Sequence, residues 1–279
     1  MRSNQRNKPD FATLAGAILG GASLIGGLLL EGGSIRDIAQ FTAALIVVGG
    51  TLGAVLISTP VRILSSALRS CCQVFVETPD KCRQTLDQIL HFSFLARKSG
   101  TASLESEMLM LRDPFLRKAL GLAVDLVPIL EIRGMMEIEL DQEEDRLLAD
   151  ARVFETAGGY APTIGIIGAV LGLIQVMKHL ENIDEVGRGI AVSFVATIYG
   201  VALANLILLP IAAKLRARAC CIVKSRELAL EGVICIVEAL NPQMLRMKLE
   251  PYIGKVAAEP REGRTPQPAP HRSPELSVG

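Results

Sequence analysis

Residues 157–177, AGGYAPTIGIIGAVLGLIQVM, and residues 189–213, GIAVSFVATIYGVALANLILLPIAA, contain no Asp, Glu, Lys or Arg. A helix rises 1.5 Å per residue, so about 20 apolar residues cross the ~30 Å hydrocarbon core of a bilayer. Both stretches reach that length, and so do residues 11–30 and 38–57, which are likewise free of charge. Unpaired backbone polar groups are prohibitive in hydrocarbon, so each crossing is predicted as a helix. The fold class that follows is all-α, an integral membrane protein with four transmembrane helices and a helical domain between spans two and three. Arg2, Arg6 and Lys8 precede the first span as they would in a secretory leader. Its apolar run is too long for one and a second span follows almost at once, so it is expected to be retained.

Half of the 279 residues are hydrophobic and the formal net charge is zero. A neutral chain lacks the basic surface on which nucleic-acid affinity rests, so no nucleic-acid partner is expected. The chain has no Trp and few aromatics, so it offers no stacking platform. The cysteines Cys71, Cys72, Cys82, Cys220, Cys221 and Cys235 form no C-x-x-C pair, and no histidine has zinc-ligand spacing to them. They read as reduced thiols that behave as small hydrophobes. His91, His179 and His271 are scattered with no nucleophile–base arrangement. No enzyme chemistry, cofactor or metal site is expected.

Cations set the orientation. Arg2, Arg6 and Lys8 precede span one, and Lys214, Arg216, Arg218, Lys224 and Arg226 follow span four. Between spans one and two Arg36 is alone, and between three and four Lys178 and Arg188 are outnumbered by Glu181, Asp184 and Glu185. Both termini are therefore expected in the cytoplasm. The organisation predicted is an N-terminal tail and first hairpin (1–59), a cytoplasmic helical domain (60–156), a second hairpin (157–213), a cytoplasmic helical tail (214–257) and a Pro-rich end (258–279) whose composition predicts disorder. Helical spacing of apolar residues recurs at 86–95, 104–111 and 115–148, and the acidic stretch 131–155 reads as an amphipathic helix continuing into span three.

Within the spans, Gly165, Gly168 and Gly172, and Ala196, Gly200 and Ala204, repeat at small-x-x-x-small spacing, which lets backbones approach closely. Span one carries Gly16, Gly20, Gly21, Gly26 and Gly27 on several faces, which favours contacts with further subunits. Pro162 and Pro210, counted from the span ends, fall at similar depth near the cytoplasmic boundary, each a kink or hinge. Ala169 and Thr197 each lie eight residues from the outer end of their span, or ~12 Å deep. Hydroxyls such as Thr197, Thr51 and Ser193 ordinarily bond back to their own helix. Ion movement through a bilayer usually needs an intramembrane ionisable group. These spans hold none, so a partner helix is expected to supply the carboxylate.

The run GGYAPTIGIIGAVLGLI (158–174), followed by GIAVSFVATIYGVALANLILLPIAAKL (189–215), resembles the signature of MotA-type flagellar stator subunits, relatives of TolQ and ExbB. The LEGG turn at 30–33 and the FLARKSG…LE stretch at 94–105 fit as well. The resemblance spans about residues 11–255. It implies five such subunits around two copies of a MotB-type partner, which has one membrane helix with an essential aspartate and a peptidoglycan-binding domain. It implies that Pro162 and Pro210 couple ion passage to conformational change, and that Arg97 and Glu105 engage a FliG-type rotor protein, with Lys98 and Glu107 as neighbours. Sodium-type members tend to carry Thr at the position of Ala169, so protons are the expected ion. A TolQ- or ExbB-type energiser of outer-membrane processes is the nearest rival, expected to have three spans, and the hairpin 11–57 disfavours it. A scaffold that conducts nothing is the rival of another class, and it does not require the two prolines.

Overall fold

The computed structural model describes residues 10–74, 81–178, 180–181 and 183–253. Arg2, Arg6, Lys8, the last residues of the expected helical tail (254–257) and the Pro-rich end (258–279) lie outside the described residues. Helix α1 (Phe11–Leu30) opens at Asp10, whose carboxylate accepts from the N–H groups of Ala12 and Thr13. That cap satisfies donors left over in the first turn. None of α1 is buried. It touches the rest of the subunit where Gly20 admits the Leu206 side chain. The chain turns at Gly32, with φ of 82°, into α2 (Ile35–Ile38). Span two is composite: α3 (Phe41–Ala44), a π-helical turn at Leu45–Gly49, and α4 (Gly50–Ser58). The expected start at residue 38 moves to Phe41, because residues 39–40 are not helical and Tyr199 donates to the Ile38 carbonyl at 2.6 Å.

Pro60 follows span two and leads into α5 (Val61–Gln73). Next come α6 (Lys81–Ser99), a 3₁₀ turn at Thr101–Leu104, α7 (Glu105–Met108), α8 (Pro114–Val124) and α9 (Ile129–Lys178). The pattern at 104–111 is helical only to Met108, and the pattern at 115–148 is broken at 125–128. Pro128 disfavours helical geometry at the residue before it, and Leu126 adopts φ of 56°. As the acidic stretch predicts, α9 then runs unbroken for 50 residues, ~75 Å, through Pro162. The second long rod is α10 (Ile183–Ala202), a π-helical turn at Leu203–Leu208, and α11 (Leu209–Val237), followed by α12 (Pro242–Leu249) and a 3₁₀ turn at Glu250–Tyr252. No strand occurs among the described residues.

Two cores result. The polar bundle closes around Ile89, Phe115, Leu116, Leu120, Ile132, Met136, Leu228, Ile234, Leu245 and Leu249, so residues on both sides of the second hairpin fill one interior. Gly232 is needed there because a Cβ would meet Ile89 Cγ2 at 2.6 Å. Nearer the spans, Val55, Ala67, Val74, Ala151, Phe154, Ala157, Ala212 and Leu215 form a second cluster. Buried Asp150 of α9 accepts from Ser66 Oγ (3.1 Å) and Ser70 Oγ (2.6 Å), which ties α5 to α9.

Within the membrane α9 and α10 touch backbone to backbone. A Cβ on Gly200 would lie 2.5 Å from the Ala161 carbonyl oxygen, and one on Gly165 would lie 2.9 Å from that of Ala196. Gly200→Val should therefore lower membrane-inserted protein several-fold, since overpacking a contact with backbone costs roughly 1–3 kcal/mol or more. Gly134→Ala, with open space around it, should leave the level unchanged or raised. Quantitative immunoblots of membrane fractions check both.

Glu231 of α11 pairs with Arg133 of α9 at 2.7 Å and Lys248 of α12 at 3.3 Å. Burial pushes its pKa up, but hydrogen bonds and charge from Arg133 and Lys248 outweigh that and hold it below the usual value of 4.5. A depressed carboxyl contributes stability that is present above the unfolded value and lost as pH falls through the folded one. Glu231→Gln should thus lower the melting temperature at pH 7 and flatten its decline below pH 4.5. Thermal melts of both proteins across that range provide the check.

Candidate functional site

The α9–α10 contact brings the intramembrane candidates together. Gly165 lies against the Thr197 Cα, and Gly168 against Ala196. Ala169, next to Gly168, is thereby within about a turn of Thr197 along the pair. Thr197 Oγ1 donates to the Ser193 carbonyl at 3.3 Å, Ser193 Oγ to Gly189 at 3.0 Å, and Thr51 Oγ1 to Val47 at 2.6 Å. Each hydroxyl proton is thus committed to its own helix, as such hydroxyls ordinarily are, while the oxygen lone pairs stay open to a donor or cation. Ala169 adds only a methyl.

Pro162 sits half-buried inside α9 and cannot donate to the carbonyl four residues back, that of Gly158. Gly158 is buried under the side chains of Leu209 and Leu208. Leu209 immediately precedes Pro210, which opens α11 directly after the π-helical turn. Contact between Gly158 and Leu209 therefore joins the two proline regions, which nothing in the one-dimensional pattern signalled. The prolines do not share a depth as expected. Ala161, beside Pro162, faces Gly200, whereas Leu209, beside Pro210, covers Gly158. On an antiparallel pair this offsets them by roughly one to two turns, on the order of 5–10 Å. Counting inward from apparent span ends assumed that those ends were level, and helix packing does not keep them so. Asn205, within the π-helical turn, donates from Nδ2 to the Val201 carbonyl at 2.9 Å.

At the end of the polar bundle Arg97 closes α6 and Glu105 opens α7, joined by Gly100 at φ of 80° and the 3₁₀ turn. Buried Leu104 anchors this turn in the bundle core. Arg97 and Glu105 are both exposed, and neither has an ion-pair partner among the described residues. Lys98 is exposed too, whereas Glu107 is engaged by His91 Nε2 at 2.7 Å. That pairing across 16 residues was not legible in the sequence. At the opposite limit of the bundle Lys214 Nζ donates to the Asp10 carboxylate and to Thr13, and the hydrogen bond from Lys214 holds the Asp10 pKa down to about 2.

Four apolar spans free of Asp, Glu, Lys and Arg, two proline regions joined through Gly158 and Leu209, and a charged turn at the far end of the rods define a membrane channel subunit that works with further chains. Residues 108–228 match the family described as the MotA/TolQ/ExbB proton channel family, and residues 14–102 match motility protein A N-terminal. Motility protein A of Bacillus subtilis (strain 168) is 35% identical over 245 residues, covering 88% of this chain and 91% of that protein. Chemotaxis protein PomA of Vibrio alginolyticus is 31% identical over 252 residues, covering 90% and 98%. The solved C. jejuni MotAB structure superposes with a TM-score of 0.84 at 30% identity, over 91% of this chain and 99% of that one. The flagellar MotAB stator complex from Bacillus subtilis gives 0.79 at 35% identity, over 86% and 94%. The chain belongs to the motility protein A branch of the MotA/TolQ/ExbB proton channel family. It is a multi-pass inner-membrane protein and not an enzyme, and the match across the first hairpin disfavours the TolQ/ExbB alternative.

Proposed function

We propose that this chain is the channel-side subunit of a flagellar stator, in which ion flux changes its conformation and drives torque on the rotor. The observation that carries this is the α9–α10 pair: its spans have no Asp, Glu, Lys or Arg, yet Gly165 packs on the Thr197 backbone and Gly158, four residues before Pro162, packs under Leu209, the neighbour of Pro210. A carboxylate must then come from another chain, a MotB-type single-span subunit. The two solved relatives are MotAB assemblies, which supports that partner and an oligomer of this chain. The number of copies proposed is five around two partners. Protons are the proposed ion, since Ala169 offers no side-chain oxygen to replace the hydration shell of sodium. Both termini and the polar bundle lie in the cytoplasm, in keeping with the cation distribution.

Co-expression tests this reading directly. The chain alone in liposomes should pass no protons, and chain plus partner should restore both flux and swimming. Flux from the single subunit would overturn it.

Pro162 and Pro210 act as hinges in this reading. Pro→Ala at either adds a backbone donor, so inserted protein should persist while swimming speed falls severalfold. Abundance and speed measured in the same cells separate coupling loss from instability.

Arg97 and Glu105 face a FliG-type rotor protein. Their exposure and lack of ion-pair partners among the described residues support both charges being available to another molecule. Reversing either should reduce torque and leave membrane abundance unchanged. Glu107, held by His91, should substitute poorly for Glu105, so Glu107→Gln should have the smaller effect in swarm assays.

A further inference from the structure

Helix α5 begins three residues after α4 ends, with Thr59 extended and Pro60 between, so its first turn sits where span two leaves the bilayer. At 100° per residue, α5 divides into three arcs. One arc, with Ile63, Ser66, Ala67, Ser70, Cys71 and Val74, faces α9 and α11 through the second cluster and the Asp150 clasp. A second arc, with Val61, Ser65, Leu68 and Cys72, is exposed, Val61 at 72% and Leu68 at 59%. Arg62 and Arg69, seven residues apart and so on the same side of the helix about 10 Å apart along its axis, border it.

Two details identify what covers the exposed arcs. Ser65 Oγ donates to the Arg62 carbonyl at 2.8 Å, and Cys72 Sγ to the Leu68 carbonyl at 3.9 Å. The small polar groups are thereby satisfied within the helix, and the arc presents an apolar strip suited to acyl chains. Arg62 and Arg69 have no acidic partner among the described residues, whereas Lys214 pairs with Asp10 and Arg216 with Glu155. A helix with an apolar strip bordered by cations, lying at the boundary, has the form of an interfacial lipid-binding helix.

We infer that α5 is a lipid-binding element, with Arg62 and Arg69 holding the phosphate of an anionic phospholipid headgroup while Val61 and Leu68 enter the acyl boundary. Asp150, through Ser66 and Ser70, turns that face outward by fixing the opposite one on α9. The inference does not rest on the proposed motor role, and its test uses no motility readout.

The full-length chain in detergent micelles is titrated with phosphatidylglycerol, phosphatidylcholine or soluble glycerol phosphate, and lipid retention is followed by native mass spectrometry and thermal melts. Phosphatidylglycerol should be retained and should raise the melting temperature; the other two should not. The double variant R62Q/R69Q should bind phosphatidylglycerol roughly tenfold more weakly or worse, at about 1 kcal/mol per cation. The control R246Q, an exposed arginine in α12, should bind as the parent does. R62K/R69K, which keeps both charges, should retain most of the shift and shows that loss in the Gln variant is not misfolding. Unchanged phosphatidylglycerol binding in R62Q/R69Q, or an equal shift with glycerol phosphate or phosphatidylcholine, would overturn the inference.

Discussion

Backbone contact between α9 and α10 is the constraint on which the rest of the molecule depends. Lipid tails are as apolar as leucine, so no hydrophobic gain holds two helices together inside a bilayer, and close dispersion contact must do it. Gly165, Gly168 and Gly172 on one helix meet Gly189, Ser193, Ala196 and Gly200 on the other, with no side chain between the ribbons at several of these points. This seam fixes the axial register of the pair. Register in turn decides which residue faces Thr197, and brings Gly158 under Leu209.

From that seam two rods run out of the membrane without interruption. Helix α9 carries its buried stripe from Ile132, Met136 and Leu140 in the polar bundle to Gly165, Gly172 and Val176 in the span. Helix α11 does the same from Ala212 to Ile236. The two clusters outside the spans are therefore threaded on the same two helices, so the proline regions and the turn that presents Arg97 and Glu105 belong to one connected framework. The Asp150 clasp and the Glu231 bridge hold neighbouring helices to these rods with polar contacts whose geometry is directional.

Segregation of charge explains the division of labour. Every Asp, Glu, Lys and Arg stands outside the four spans, and inside them the hydroxyls of Thr51, Ser193 and Thr197 donate to their own helices. Such a subunit has no acidic or basic side chain to place in an ion path. Chemistry that requires a carboxylate at membrane depth falls to a second chain, which leaves this one free to be apolar and closely packed.

The four spans, the continuation of the acidic stretch into span three, the small-residue spacing and the candidate residues were all legible in the sequence, because bilayer thickness and helical period act on residues close together in the chain. Pro162, Pro210, Ala169, Thr197, Arg97 and Glu105 could likewise be named from local motif. What the tertiary structure alone decided depends on residues far apart: the axial offset of the prolines, the Gly158–Leu209 contact, the shared core of the segments before and after the second hairpin, the capture of Glu107 by His91, and the outward face of α5. The break at 125–128 had a local signal in Pro128, which the apolar period obscured. Span ends were misjudged as level because charge marks where a helix leaves hydrocarbon, whereas the height of one helix against another is set by which side chains and glycines meet along their length.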